Sequence, residues 1–352
     1  MNKSKLTLLI DGNWLLMSRL VVIANKYNDD FELCHNLQLL MIQSIKLVLK
    51  KFPDIDNIIF CSDGGSWRNG LPIPEFLKDE NGNPITYKGN REKAEDINWD
   101  MIFTSYEELI EMLKQQGINA YKEHNVEGDD LIWWWSTYLN KNNTNCIIWS
   151  KDNDLKQLIN IDHNKCFTVW WNKENGMYTS KFNDNDLDFL FNNDFNENDR
   201  LFSNITKNIE VTQEDKNHII IDKIIRGDLG DNIEPIIYKQ TPKSTRKYRV
   251  SQSDINYSMN WKDDTVVYNF LKNLLSTKKY SKNINKTLDE AFKHFKYNRT
   301  LVALDIDSYP KDIINILEDL DYTYSGNVDS IYIVESNLRA TINNINGILD
   351  LI

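Results

Sequence analysis

Glu127-Gly128-Asp129-Asp130 places three carboxylates in four residues, directly before the apolar run Leu131 to Trp135. Carboxylates this close repel and raise one another's pKa unless positive charge sits among them, so a bound cation is the simplest resolution. The plain alternative is that Asp129 or Asp130 only N-caps the helix that begins here. Other acids weigh against that alternative: Asp11, Asp63, Asp152, Asp154, Asp228 and Asp231 each follow an apolar run closely. Oxygen ligands without His or Cys suit Mg²⁺, with Mn²⁺ as a substitute, rather than zinc. A pit of this kind with room for two cations, ~4 Å apart, is the arrangement that hydrolyses phosphodiesters.

The elements that would position these acids are legible. Leu6 to Ile10, Ile58 to Cys61 and Cys146 to Trp149 are short apolar runs of strand length, and each leads into an acidic turn. Between them, residues 36–51, 100–116 and 129–140 carry helical periodicity. Strand, acidic turn and helix in repetition predict an α/β fold with a mainly parallel sheet flanked by helices. In such a sheet the ligand crevice lies at the carboxyl ends of the strands, where the acids converge. Asp152 and Asp154 would face the same way if strand geometry persists through them.

The 352 residues, 41% hydrophobic, suffice for two domains. A net charge of −11 argues at first against a nucleic-acid partner, but an acidic pit combined with separate basic patches gives the same balance. Cys34, Cys61, Cys146 and Cys166 have no metal-ligand spacing and read as buried thiols of a cytoplasmic protein. Lys3 and Lys5 precede an apolar run that Asp11 ends after five residues, too short for a signal peptide or a membrane span.

Basic and aromatic residues cluster in two places. Trp67-Arg68 leads through a Gly- and Pro-containing loop to Tyr87-Lys88-Gly89-Asn90-Arg91-Glu92-Lys93. Such residues can stack on bases and hold phosphate, and a helix over 88–93 would place Lys88 and Arg91 on one face. Lys239 to Arg249 carries Lys239, Lys243, Arg246, Lys247 and Arg249 with no acid, which favours phosphate contact over an ordinary basic loop. Lys278, Lys279 and Lys282 form a weaker patch. Trp133 to Trp135 follow the acid motif at helical spacing and read as core.

Taken together, DGN at 11–13, SWR at 66–68, YKGNR at 87–91, EGDD at 127–130, SKDND at 150–154 and GDLGDNI at 227–233 resemble the 5′ nuclease superfamily of flap endonucleases and 5′-to-3′ exonucleases. The likeness is greatest to its T-even-type bacteriophage RNase H members. The resemblance implies a PIN-like catalytic domain over residues 1–225, with an arch at about 69–96, and a smaller, mainly helical DNA-binding domain over 226–352. It implies that Asp11, Asp63, Glu127, Asp129, Asp130 and Asp152 surround a first Mg²⁺, and that Asp154, Asp228 and Asp231 serve a second. Lys88 and Arg91, with Tyr87, would act at the scissile phosphate, and Trp67, Arg68 and Lys93 along the strand. After GDLGDNI the family's helix-hairpin-helix is degenerate, because Glu234 to Tyr238 stand in its place, which argues against a K⁺ site. Residues 172–216 read as an acidic, Asn-rich insertion without readable chemistry.

The implied substrates are 5′ ends and flaps of RNA·DNA and DNA duplexes in phage replication, cut by a monomer. Implied partners are a sliding clamp and a single-stranded DNA-binding protein, docked through the tail Ile348 to Ile352. A PIN-like ribonuclease and a non-catalytic binder of branched DNA are the alternatives. The YKGNR and GDLGDN motifs weigh against the first and the repulsive acid pit against the second.

Overall fold

The computed structural model describes residues 6–27, 29–91, 97–160, 166–174, 176–179, 208–241, 244–277, 280, 286–322 and 328–349. The chain forms two compact units that interleave in sequence: 1–65, 94–211 and 315–352 make one, and 66–93 with 212–314 the other.

The first unit is built on β1 (Leu6–Asp11), α1 (Gly12–Ile23), α2 (Asp30–Lys51), β2 (Asn57–Ser62), α3 (Trp99–Gln115), β3 (Asn119–Lys122), α4 (Gly128–Lys141) and β4 (Asn145–Trp149). β5 (Thr168–Asn172), β6 (Gly176–Thr179) and β7 (Asn208–Glu210) complete a seven-stranded sheet in the order β3-β2-β1-β4-β5-β6-β7. Every pairing is parallel except β5 with β6. β1, β2 and β4 are buried along their whole length, as expected of parallel strands covered on both faces, which is why they read as unbroken apolar runs.

The three helices read from periodicity are present, with ends shifted by a few residues. α2 starts earlier than expected, because Asp29 Oδ1 accepts from the Glu32 N–H at 2.8 Å and caps it. α1 was not anticipated: the sequence suggested a turn after Asp11, but Asp11 itself is the N-cap and the helix begins at once. The helix Ser330–Leu349 lies on α2, where His35 Nε2 meets the Leu338 carbonyl at 2.9 Å and Lys46 pairs with Glu335.

Trp133 and Trp135 are buried and Trp134 half-buried, as expected of core residues. Trp135 stacks on Tyr121 at 4.8 Å and meets Tyr138 and Tyr322 edge-on or tilted. All four cysteines are free and buried. Among the described residues, no helix is long and apolar enough to cross a membrane. Most of the 172–216 insertion lies outside the described residues.

The second unit is mainly helical, with helices Gln213–Arg226, Asp264–Ser276 and Leu288–Val302 around a core that includes Ile221, Ile225, Leu271 and Phe295. Thr212 with Asp215 and Thr287 with Glu290 form reciprocal caps at two of these helix starts. The basic segment is a hairpin rather than a loop: Tyr238–Thr241 pairs antiparallel with Ser244–Arg249.

Candidate active site

β1 lies between β2 and β4, so the chain leaves β1 toward one side of the sheet and later returns on the other. Ligand crevices form at the carboxyl ends of strands where the winding reverses in this way. The strand ends are level there: Asp11 is opposite Cys61, and Ile10 is opposite Trp149. The acids that follow these ends therefore share one edge.

Asp11 is 7% exposed and its two oxygens are already engaged. Oδ1 accepts from the Trp14 N–H at 2.9 Å and Oδ2 from Ser150 Oγ at 2.6 Å. Burial pushes its carboxyl up to about 7, against those two hydrogen bonds, and the nearby Asp63 and Asp152 charges add to the rise. Asp63 Oδ1 accepts from the Gly128 N–H at 2.6 Å, tying the end of β2 to the start of α4. Asp130, 0% exposed, accepts from the Glu127 N–H at 3.1 Å. The cap alternative is thus realised in part: Glu127 is the N-cap of α4 and Asp130 closes the turn, while Asp129 is half-buried beside them.

Two residues that had been quoted only as motif letters organise this edge. Asn13 Oδ1 accepts from Ser62 Oγ (3.1 Å), the Asp63 N–H (3.0 Å) and the Tyr106 hydroxyl (3.3 Å), while Nδ2 donates to Asp63 Oδ2 at 2.7 Å. Ser150, fully buried, links Asp11 to the Asp152 N–H at 2.9 Å. Their places inside DGN and SKDND were the available signal; Tyr106 carried none. Gly12 is also required, since a Cβ there would lie 2.4 Å from Tyr106 Oη and 2.5 Å from Phe60. Gly12→Ala is expected to destabilise the protein by about 1–3 kcal/mol, read as a lower urea midpoint.

One geometric expectation fails. β4 ends at Trp149, and residues Asn153–Leu158 form a 3₁₀ turn in which Asp152 caps and accepts from the Asp154 N–H at 2.8 Å. Asp152 is exposed and Asp154 half-buried, and strand geometry does not persist through them to put both on one face. The polar side chains of Ser150 and Asp152 begin the turn instead.

Asp228 and Asp231 belong to the second unit and follow the helix Gln213–Arg226, not a strand. Gly227 turns that helix into the loop at φ +70°, where a Cβ would lie 2.2 Å from the Ile233 carbonyl oxygen. Burial raises the Asp228 carboxyl, but the hydrogen bond and charge of Lys223, aided by the Gly230 N–H, hold it below the usual range. Asp231 pairs with Arg91 Nη2 at 2.7 Å.

The YKGNR motif docks on this same loop, a relation not visible in the sequence. The Lys88 N–H donates to the Asp231 carbonyl (2.8 Å), Asn90 to the Leu229 carbonyl (2.8 Å), and Asn232 to the Thr86 carbonyl (2.8 Å). Residues 87–90 are turns rather than a helix, since Lys88 sits at φ +55° and Gly89 follows it. Tyr87 is 8% exposed in the core of its unit, so its ring is not the exposed stacking face expected. The same applies to Trp67 and Arg68. Arg68, 3% exposed, donates Nε to the Leu301 carbonyl at 3.0 Å and lies over the Trp67 and Tyr309 rings, a buried cation satisfied by protein. Lys93 and Lys243 lie outside the described residues. Lys239, Arg246 and Lys247 are on the hairpin strands, and Arg249, half-buried, adds positive charge near Asp228.

The donor set at the first unit's sheet edge consists of carboxylate oxygens that gain from positive charge, which fits hard divalent cations. A sequence model of the 5′-3′ exonuclease N-terminal resolvase-like domain matches residues 6–186. The chain belongs to that family, within the 5′ nuclease superfamily. A 5′-3′ exonuclease of Buchnera aphidicola is 27% identical over 169 residues, covering 46% of this chain and 53% of the relative. The chain thus spans about half the length of that curated relative. Among solved structures, bacteriophage T5 5′-exonuclease with divalent zinc ions bound is similar at a TM-score of 0.51 and 15% identity, over 96% of this chain and 99% of that one. A variant of the bacteriophage T5 flap endonuclease in complex with DNA and metal ions matches at 0.52 and 16% identity, over 94% and 100%. These likenesses show the fold.

Proposed function

We propose that the protein is a Mg²⁺-dependent 5′ nuclease that hydrolyses phosphodiester bonds at the 5′ ends and flaps of RNA·DNA and DNA duplexes, as in the removal of RNA primers during phage replication. The observation that carries this is the meeting of Asp11, Asp63, Glu127, Asp130 and Asp152 at the switch point of the sheet, held there by Asn13 and Ser150. Asp11, Asp63, Glu127, Asp129, Asp130 and Asp152 would hold a first cation, and Asp154, Asp228 and Asp231 a second. Two such cations, when bound, supply the positive charge that activates water and offsets charge on the leaving oxygen. Asn13 keeps Asp63 oriented, and Ser150 keeps an Oδ2 hydrogen bond on Asp11 as it ionises. Lys88 adds positive charge where the phosphate becomes more negative in the transition state. Arg91 divides its role between Asp231 and the substrate strand.

The first unit would carry catalysis and the second would grip the duplex, with the hairpin cations as phosphate contacts. Docking to a sliding clamp or a single-stranded DNA-binding protein belongs to the same reading. The polarity is tested with matched 5′-labelled and 3′-labelled nicked RNA·DNA hybrids. Short labelled products are expected from the 5′ label first, and Lys88→Ala should slow their release by about 10²–10³-fold. Short products from the 3′ label first would refute the assignment.

A further inference from the structure

Beyond the acid edge, the first unit contains a cleft of about 620 Å³ between α1, α2 and the ends of β4 and β5. Its lining differs from the rest of this acidic protein. Among the described lining residues are Arg19, Lys51, Lys151 and Lys173, and the acid among them, Glu174, is held by Lys151 at 2.5 Å. The other wall is aromatic and aliphatic: Trp14, Trp149 and Trp171 form an edge-to-face and tilted series, with centroids 5.5 and 6.3 Å apart. Val21, 77% exposed, and Val22 and Leu47 stand beside them in solvent.

Two of the lining residues also carry a buried donor without an acceptor among the described residues, Arg19 Nε and Trp171 Nε1. A ligand that is anionic and rich in acceptors suits the cationic lining. Burial and the Lys173 charge hold Lys51 down to about 8, so an anion beside it would restore its full charge. A phosphate meets the charge, and a base meets half-buried Trp14 and the exposed Val21, Val22 and Leu47. The cleft also adjoins the acid edge through the chain itself. Trp14 follows Asn13, and Lys151 lies between Ser150 and Asp152.

We propose that this cleft is a second nucleic-acid subsite, which takes one nucleotide of a single strand with its phosphate on Arg19, Lys51 and Lys173 and its base against the apolar wall. The identity of the ligand as nucleic acid rests on the nuclease reading above. The subsite binds without divalent metal and contributes to substrate affinity, not to the chemical step.

The test uses tryptophan emission of the full chain in EDTA, titrated with 5′-phosphorylated tetrathymidylate. Saturable quenching is expected for wild type and for Asp130→Asn. In Arg19→Gln/Lys173→Gln the Kd should rise about tenfold or more, and the salt slope should shrink by up to roughly 0.7, for one phosphate no longer neutralised. Thymidine at the same concentrations should not quench, and inorganic phosphate should compete weakly. On a flap substrate the double variant should raise KM with kcat nearly unchanged. Circular dichroism checks that the variant is folded. Absence of saturable quenching, an unchanged Kd in the double variant, or equal binding of thymidine would overturn the proposal. So would a concentration-dependent dimer that Val21→Asp/Val22→Asp abolishes, because the face would then belong to a second copy of the chain. If wild type binds the tetranucleotide but cuts no substrate, the subsite stands and the nuclease reading falls. If it cuts but does not bind the tetranucleotide, the subsite alone falls.

Discussion

Asp11→Asn is expected to lower cleavage by about 10³-fold or more while making the metal-free protein more stable at pH 8. The two effects share one cause. The Asp11 carboxyl is buried and its pKa lies at about 7 in the fold, against an ordinary 3.8. The folded state therefore binds this proton more tightly than the unfolded chain does. Its contribution to stability is fully present below pH 3.8, is lost as pH rises from there through about 7, and the full cost persists above that. Asparagine never ionises, so it escapes that cost at pH 8, by roughly 2 kcal/mol once weaker bonding to Ser150 is allowed for. At pH 4 the advantage should vanish. Urea unfolding of wild type and variant in EDTA, at pH 4 and pH 8, reads the difference. A variant less stable than wild type at both pH values would mean that the carboxylate is not strained in the metal-free fold.

Trp135→Ala should cost about 3–5 kcal/mol of stability, among the largest effects of any single substitution in this chain. Trp135 is 1% exposed and packs on Tyr121, Tyr138 and Tyr322. Its indole nitrogen is buried without a hydrogen-bond partner among the described residues. Trp135→Phe therefore loses ring volume but no hydrogen bond, and should cost much less, about 1–2 kcal/mol. Similar costs for the two variants would point to an indole hydrogen bond that the fold depends on. Unchanged stability in Trp135→Ala with weakened nucleic-acid binding would reverse the assignment and make this ring a stacking platform.

The sheet was readable because its central strands are covered on both faces and so appear as unbroken apolar runs, each with an acid at its end. The convergence of Asp11, Asp63, Glu127 and Asp130 followed from that pattern, since the strand order places those ends together. Less visible were contacts whose partners lie far apart in sequence. Arg68 looked like a phosphate ligand, but its guanidinium serves the Leu301 carbonyl 233 residues away. Arg91 looked free for a strand, yet it pairs with Asp231. Tyr87 has the composition of a stacking residue and the burial of a core one. In each case residue type was informative and the tertiary partner decided the use. The cationic cleft at Arg19 was equally hidden, because its cations come singly from α1, α2 and the turns after β4 and β5.

The assignment of a metal-dependent nuclease is tested most directly by one assay. A 5′-labelled flap and a nicked RNA·DNA hybrid are incubated with wild type and with Asp130→Asn, in Mg²⁺ and in EDTA. Short 5′ products are expected from wild type in Mg²⁺ alone, with none from the variant or in EDTA. Wild type that binds both substrates yet cuts neither in Mg²⁺ would contradict the assignment and leave a protein that recognises branched nucleic acid without hydrolysing it.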